Sequence, residues 1–174
     1  MSTWTVISSL DAPTGGVFDF PSLSLGSYSA VQVIGSGITV TTDGTDVVLR
    51  VYQSGSEVTS ISYRWGMHLD SSAGSGNTDA DNGATALYVV SDDSSWDVGN
   101  ASNEGIGFIA TFDSPASTAL GKRVRFESAF TNASGSLIAA EGVGVQAGTA
   151  AIGGFKVLGS SSLTAGKVRI LGLA

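Results

Sequence analysis

The chain has 174 residues, among them 24 glycines, 3 prolines and no cysteine; charged residues make up 13% and the formal net charge is −7. This length suits one domain that buries about 70% of the surface its unfolded chain exposes, and the lack of cysteine excludes disulfides, thiolate zinc sites and cysteine nucleophiles. Net negative charge without any run of lysine and arginine argues against nucleic-acid binding, and no segment reaches the ~18 apolar residues of a span, so no membrane insertion is expected.

Few glutamates, lysines, leucines and glutamines are available to build exposed helix faces, whereas serine, threonine, valine and glycine are abundant. Such a mixture predicts short strands joined by turns. Alternation locates about ten of them in chain order. Val17–Phe20 ends at Pro21, and Ala30–Ile34 ends at Gly35. Within Asp46–Gln53, Val47, Leu49 and Val51 share one face. Ile61, Tyr63 and Trp65 alternate with Ser62 and Arg64. Ala84–Val90 is a nearly continuous apolar run, the pattern of a strand covered on both faces. Ile106–Phe112 and Val124–Phe130 alternate cleanly; runs at Leu137–Val145, Gly153–Leu158 and Val168–Leu173 complete the set. Strands at intervals of roughly 10 to 15 residues without a helical stripe predict an all-β fold, a single antiparallel β-sandwich of jelly-roll-like wiring.

No linker divides the chain. Residues 1–27 are expected to form an N-terminal segment with the first strand, serving as a docking arm, and residues 28–174 the jelly-roll module, all within one compact domain. The low-complexity stretch Asp70–Gly83 is expected to be a long loop. Charge is uneven: residues 1–121 carry 2 basic side chains against 13 acids, residues 122–174 carry 6 against 2. Should the late strands cluster, their basic face would meet an acidic face of a neighbouring subunit. Low charge with positive mean hydropathy further points to an assembled state rather than a free monomer.

Residues with chemical potential are few. His68, Asp70 and Ser72 lie close together but without the sharp elbow a nucleophile needs, and Asp92, Asp93, Asp97 and Glu104 are equally what a soluble turn contains. The chain is therefore not expected to be an enzyme. Asn77, Asp79 and Asp81 have the every-second-residue oxygen spacing that opens an EF-hand loop, yet the glycine and the bidentate glutamate such a loop requires are out of place. They remain weak ligands for a structural Ca²⁺, as do Asp92, Asp93 and Asp97; no other cofactor is expected. Gly142, Gly144 and Gly148 lack a surrounding βα unit and read as a flexible turn. Trp96, flanked by Asp93 and Asp97 in a polar stretch, either plugs the end of the sandwich or stacks on a sugar or partner. Trp4 carries the same ambiguity.

Four motifs stand in fixed order: Thr42-Asp43-Gly44 leading into Leu49-Arg50-Val51, then Ser62-Tyr63-Arg64-Trp65, then Val98-Gly99-Asn100 with Glu104-Gly105, and finally Ala165–Leu173. From about Tyr28 to the C-terminus this order and spacing resembles a jelly-roll module of tailed-bacteriophage virion proteins. The resemblance implies a virion structural protein made in the host cytoplasm, assembled as a homotrimer, and acting as a capsid decoration or head-fibre protein on the major capsid protein. The alternative it implies is a receptor- or carbohydrate-binding knob, joined to a tail-fibre or baseplate protein and contacting a host surface glycan. No repeat or heptad supplies a shaft, which favours the decoration role.

Overall fold

A computed structural model describes residues 3–174. The alternating apolar positions become strands wherever one side chain in two finds a core to face. In chain order they are β1 (Trp4–Leu10), β2 (Phe18–Phe20), β3 (Ala30–Val40), β4 (Val47–Gln53), β5 (Ser56–Glu57), β6 (Tyr63–Ser71), β7 (Gly76–Ala84), β8 (Leu87–Tyr88), β9 (Ile106–Asp113), β10 (Lys122–Thr131), β11 (Leu137–Gln146), β12 (Ile152–Gly159) and β13 (Leu163–Leu173). The only helical element among the described residues is a 3-10 turn at Ser94–Trp96, and no helix is long and apolar enough to cross a membrane.

The strands form two antiparallel sheets. The larger runs β1-β13-β3-β9-β10-β11-β6-β7; the smaller runs β2-β12-β4-β5, with β8 also paired to β4. In the order β1-β13-β3-β9 facing β2-β12-β4-β8, successive strands alternate between the two layers from both ends of the chain inward. This is the wiring of a jelly roll. The strands β10, β11, β6 and β7 extend one of its sheets.

The core lies between the layers. Val31, Val33, Phe108, Phe112, Phe126 and Phe130 from the large sheet meet Phe18, Leu49, Val51, Phe155 and Val157 from the small one. Phe112 and Phe155 pack with ring centroids 5.1 Å apart, within the range at which aromatic pairs attract. Tyr63 and Trp65, expected to face inward, are buried. The Tyr63 hydroxyl accepts from the Val51 amide at 3.0 Å and donates to the Val58 carbonyl at 3.2 Å, tying β6 of one sheet to β4 of the other.

The structure departs from the sequence reading at several places. Residues 70–83 are not a loop: Ser71–Ser75 form a tight turn, and β7 returns along β6 with Leu69 opposite Asn77 and Trp65 opposite Asp81. Both faces of β7 are polar because it is an edge strand, so it lacks the apolar alternation of an inner strand while its carboxylates protect the edge. The run 84–90 is largely buried, Thr85 excepted, but it is no single strand: Ala84 ends β7, and only Leu87–Tyr88 pair again, with β4. Its backbone is satisfied otherwise: the Val89 amide donates to the Val47 carbonyl, and the Val89 carbonyl accepts from the Ser128 hydroxyl. Within the expected docking arm, Met1 and Ser2 lie outside the described residues. The rest is integrated into the sandwich, with β1 hydrogen-bonded to β13 and Phe18, Phe20 and Leu25 in the core. Gly142 and Gly144 lie in β11 rather than in a turn, and face the interior. A side chain on Gly142 would collide with the ring of Phe126.

Candidate functional site

Two regions gather side chains that the core does not use. The first is the outward face of the large sheet. Strand register aligns its residues in rows: Arg64, Val145 and Arg123 stand side by side, and next to them Gly66, Val143, Arg125 and Thr111. Trp4, Val6, Ile109, Leu137 and Val143 are exposed on this face, Val143 at 60%. Because Gly66 and Ala80 are small, an open depression of about 690 Å³ forms above them, bordered by Arg64, Arg123, Arg125, Val143 and Val145. A second one, about 580 Å³, continues past Arg125 and Val143 to His68, Glu141 and Gln32. Among the described residues, none of the three arginines makes an ion pair or a side-chain hydrogen bond.

The basic residues of the C-terminal third do not all gather there. Lys122 is fully buried, and its amine donates to the carbonyls of Ser117, Leu120 and Thr149. Burial depresses its pKa. Lys156 and Arg50 both bind Glu57 at 2.8 Å on the small sheet, and Lys167 pairs with Asp11. Burial of Glu57 pushes its pKa up, but the hydrogen bonds and charges of Lys156 and Arg50 outweigh this and hold it below the ordinary value.

The second region is one end of the sandwich, where two of the four motifs meet. Asp43 accepts from the Asn100 amide at 3.1 Å, and the Asn100 side chain donates to the Thr41 carbonyl at 3.1 Å, locking the Thr42-Asp43-Gly44 turn to Val98-Gly99-Asn100. Glu104 folds back to accept from the Ala101 amide at 2.7 Å. Its carboxylate occupies the space a side chain on Gly99 would need. These motif residues therefore join turns.

Carboxylates crowd the same end. Asp93 caps the 3-10 turn, accepting from the Ser95 amide at 3.0 Å, and Trp96 packs partly buried against the core. Asp79 accepts from the Ser91 hydroxyl at 2.5 Å and the Asp92 amide at 3.1 Å. The pKa of Asp92 is pushed up to about 6 by burial and then by the charge and hydrogen bond of Asp79. That of Asp97 is pushed up to about 8 by burial and then by the charge and hydrogen bond of Asp46, with Asp93 and Asp92 adding to it. Asn77, Asp79 and Asp81 occupy one face of β7 in extended backbone, so their oxygens spread along the strand instead of wrapping around a point. No three carboxylates or imidazoles among the described residues are placed to hold a metal by themselves.

Other expected residues fall apart. His68 lies 3.4 Å from Asp70, both exposed, while the Ser72 hydroxyl accepts from the Leu137 amide, so the three form no relay. Trp4 sits on edge strand β1 opposite Leu173, whereas Trp96 closes the 3-10 turn. Sequence reasoning missed Asp46 as the partner of Asp97 and the row of arginines. Neither has a local signal, because each is assembled from separate segments. No protein-family model, no curated protein and no solved structure matches the chain.

Proposed function

We propose that the protein is a structural component of a tailed-bacteriophage virion that docks on the capsid as a decoration or head-fibre protein, assembled as a homotrimer. The observation that carries this reading is the outward face of the large sheet, where Trp4, Val6, Ile109, Leu137 and Val143 remain exposed. These apolar groups share one outward face that a partner could cover, and the motif order resembles the virion module. A trimer engaging equivalent sites makes its second and third contacts at high effective concentration, so a modest interface per subunit suffices. Binding only to the assembled shell then adds to particle stability by mass action.

The unpaired Arg64, Arg123 and Arg125 beside an apolar floor favour a second reading, a tail knob that binds an acidic host surface glycan through guanidinium–carboxylate contacts. Deleting the gene, locating the protein on wild-type particles by cryo-electron microscopy and heating both particles separates the two. Density on the capsid with heat-sensitive mutant particles is expected. Density at the tail tip, with normal capsid stability and lost adsorption, rejects decoration in favour of the knob. In solution, micromolar protein should weigh as a trimer, and Val143→Glu should weaken assembly without unfolding the monomer.

A further inference from the structure

We propose that Asp46 and Asp97, at the motif-bearing end of the sandwich, form a calcium-binding site completed by neighbouring hydroxyl, carbonyl or water oxygens. The argument begins with the backbone. Thr45 and Val98 form an isolated antiparallel bridge, each amide donating to the other's carbonyl at 3.1 Å. In an antiparallel pair, the residues next to such a doubly bonded pair stand directly opposite each other at the closer of the two spacings. Those residues are Asp46 and Asp97. Two ionised carboxylates in this position repel, and a shared proton or a bound cation relieves them.

The second observation concerns Asp97 alone. It is 4% exposed, its Oδ1 has no donor among the described residues, and the side-chain hydrogen bond it makes is with the Asp46 carboxylate. A buried carboxylate oxygen without a donor is costly, and the charged groups that act on Asp97 most strongly are the carboxylates of Asp46, Asp93 and Asp92. Among the described residues, no lysine or arginine forms an ion pair with them. Lys156 and Arg50 are engaged by Glu57. A cation between Asp46 and Asp97 satisfies the orphaned oxygen and removes the repulsion together.

Calcium suits the donors better than other metals. All are hard oxygens, and no cysteine exists in the chain. Ca²⁺ accepts six to eight oxygens in flexible geometry, whereas Mg²⁺ demands a near-ideal octahedron. Since only two carboxylates oppose each other directly, affinity belongs in the weak class, with Kd on the order of 10⁻⁴–10⁻³ M. The site would clip the 85–98 segment to the start of β4. This inference does not depend on the virion reading.

The test uses the full chain, stripped with EDTA and exchanged into buffer of matched ionic strength containing either 10 mM CaCl₂ or NaCl. Calcium is expected to raise Tm by about 3–11 °C, following from a weak site and a domain of this size. Terbium, a calcium mimic, should luminesce by transfer from Trp96, the neighbour of Asp97, and calcium should quench that signal by competition. Asp97→Asn should abolish the calcium response. Asp46→Asn, at a half-buried position, provides the same loss if Asp97→Asn fails to fold. A wild-type Tm indifferent to calcium, or a calcium shift retained in both variants, overturns the proposal.

Discussion

Replacing Tyr63 by phenylalanine isolates the link between the two sheets. The ring is buried and keeps its place, so the change removes one oxygen with almost no loss of packing. That oxygen accepts from the Val51 amide at 3.0 Å and donates to the Val58 carbonyl at 3.2 Å. A buried amide left without an acceptor costs about 1–3 kcal/mol, and an ordinary hydrogen bond contributes about 1 kcal/mol. Tyr63→Phe should therefore destabilise by about 2–3 kcal/mol, a large part of the roughly 5–15 kcal/mol typical of a domain. Urea denaturation followed by tryptophan fluorescence should show the midpoint falling by about 1 M with unchanged slope. The pH dependence has a definite sign. Burial pushes the Tyr63 phenol up to about 12, with the Val51 amide acting in the opposite direction. A folded pKa above the unfolded value near 10 means stability that is full below pH 10 and lost as pH rises toward 12. Tyr63→Phe should lack that component. A destabilisation under about 0.5 kcal/mol would refute the reasoning, because the phenol would then be bonding water rather than bridging the sheets.

Three further outcomes are expected. Lys122→Met should cost about 1–3 kcal/mol and open the 114–121 loop to protease, since the carbonyls of Ser117, Leu120 and Thr149 lose their shared donor; undiminished protease resistance would contradict this. Glu57→Gln should cost roughly 0.5–1 kcal/mol at neutral pH and nothing at acid pH. Its folded pKa is depressed, so its stabilisation is present above the unfolded value near 4.5 and disappears as pH falls through the folded one, which melting curves from pH 7 to 3 would register. Trp96→Ala should lower Tm through lost packing against the core; loss of glycan or cell binding at unchanged Tm would instead make it a contact residue.

How much of this protein is legible in its sequence depends on whether a segment meets a core locally or through distant partners. Alternation placed β4, β9 and β10 close to their observed bounds, because inner strands with one face on the core must repeat every second residue. Composition likewise determined the all-β class. It took Asp70–Gly83 for a loop because β7 is an edge strand whose inward positions Asn77, Asp79 and Asp81 lie among other carboxylates rather than on the core. It also took residues 84–90 for one strand, whereas only Leu87–Tyr88 ladder with β4 and the Val89 amide and carbonyl are met by Val47 and Ser128. The acid stretch around Trp96 was visible as a candidate, but its partner was not. Asp46 and Asp97 are separated by half a hundred residues and become neighbours only through the Thr45–Val98 bridge. Arg64 and Arg123 meet across Val145 only because β11 runs between β6 and β10. Local pattern determines which residues form strands, since periodicity is a property of contiguous chain. Which charges face one another is decided by the order of strands in the sheet, and that follows from packing the whole jelly roll.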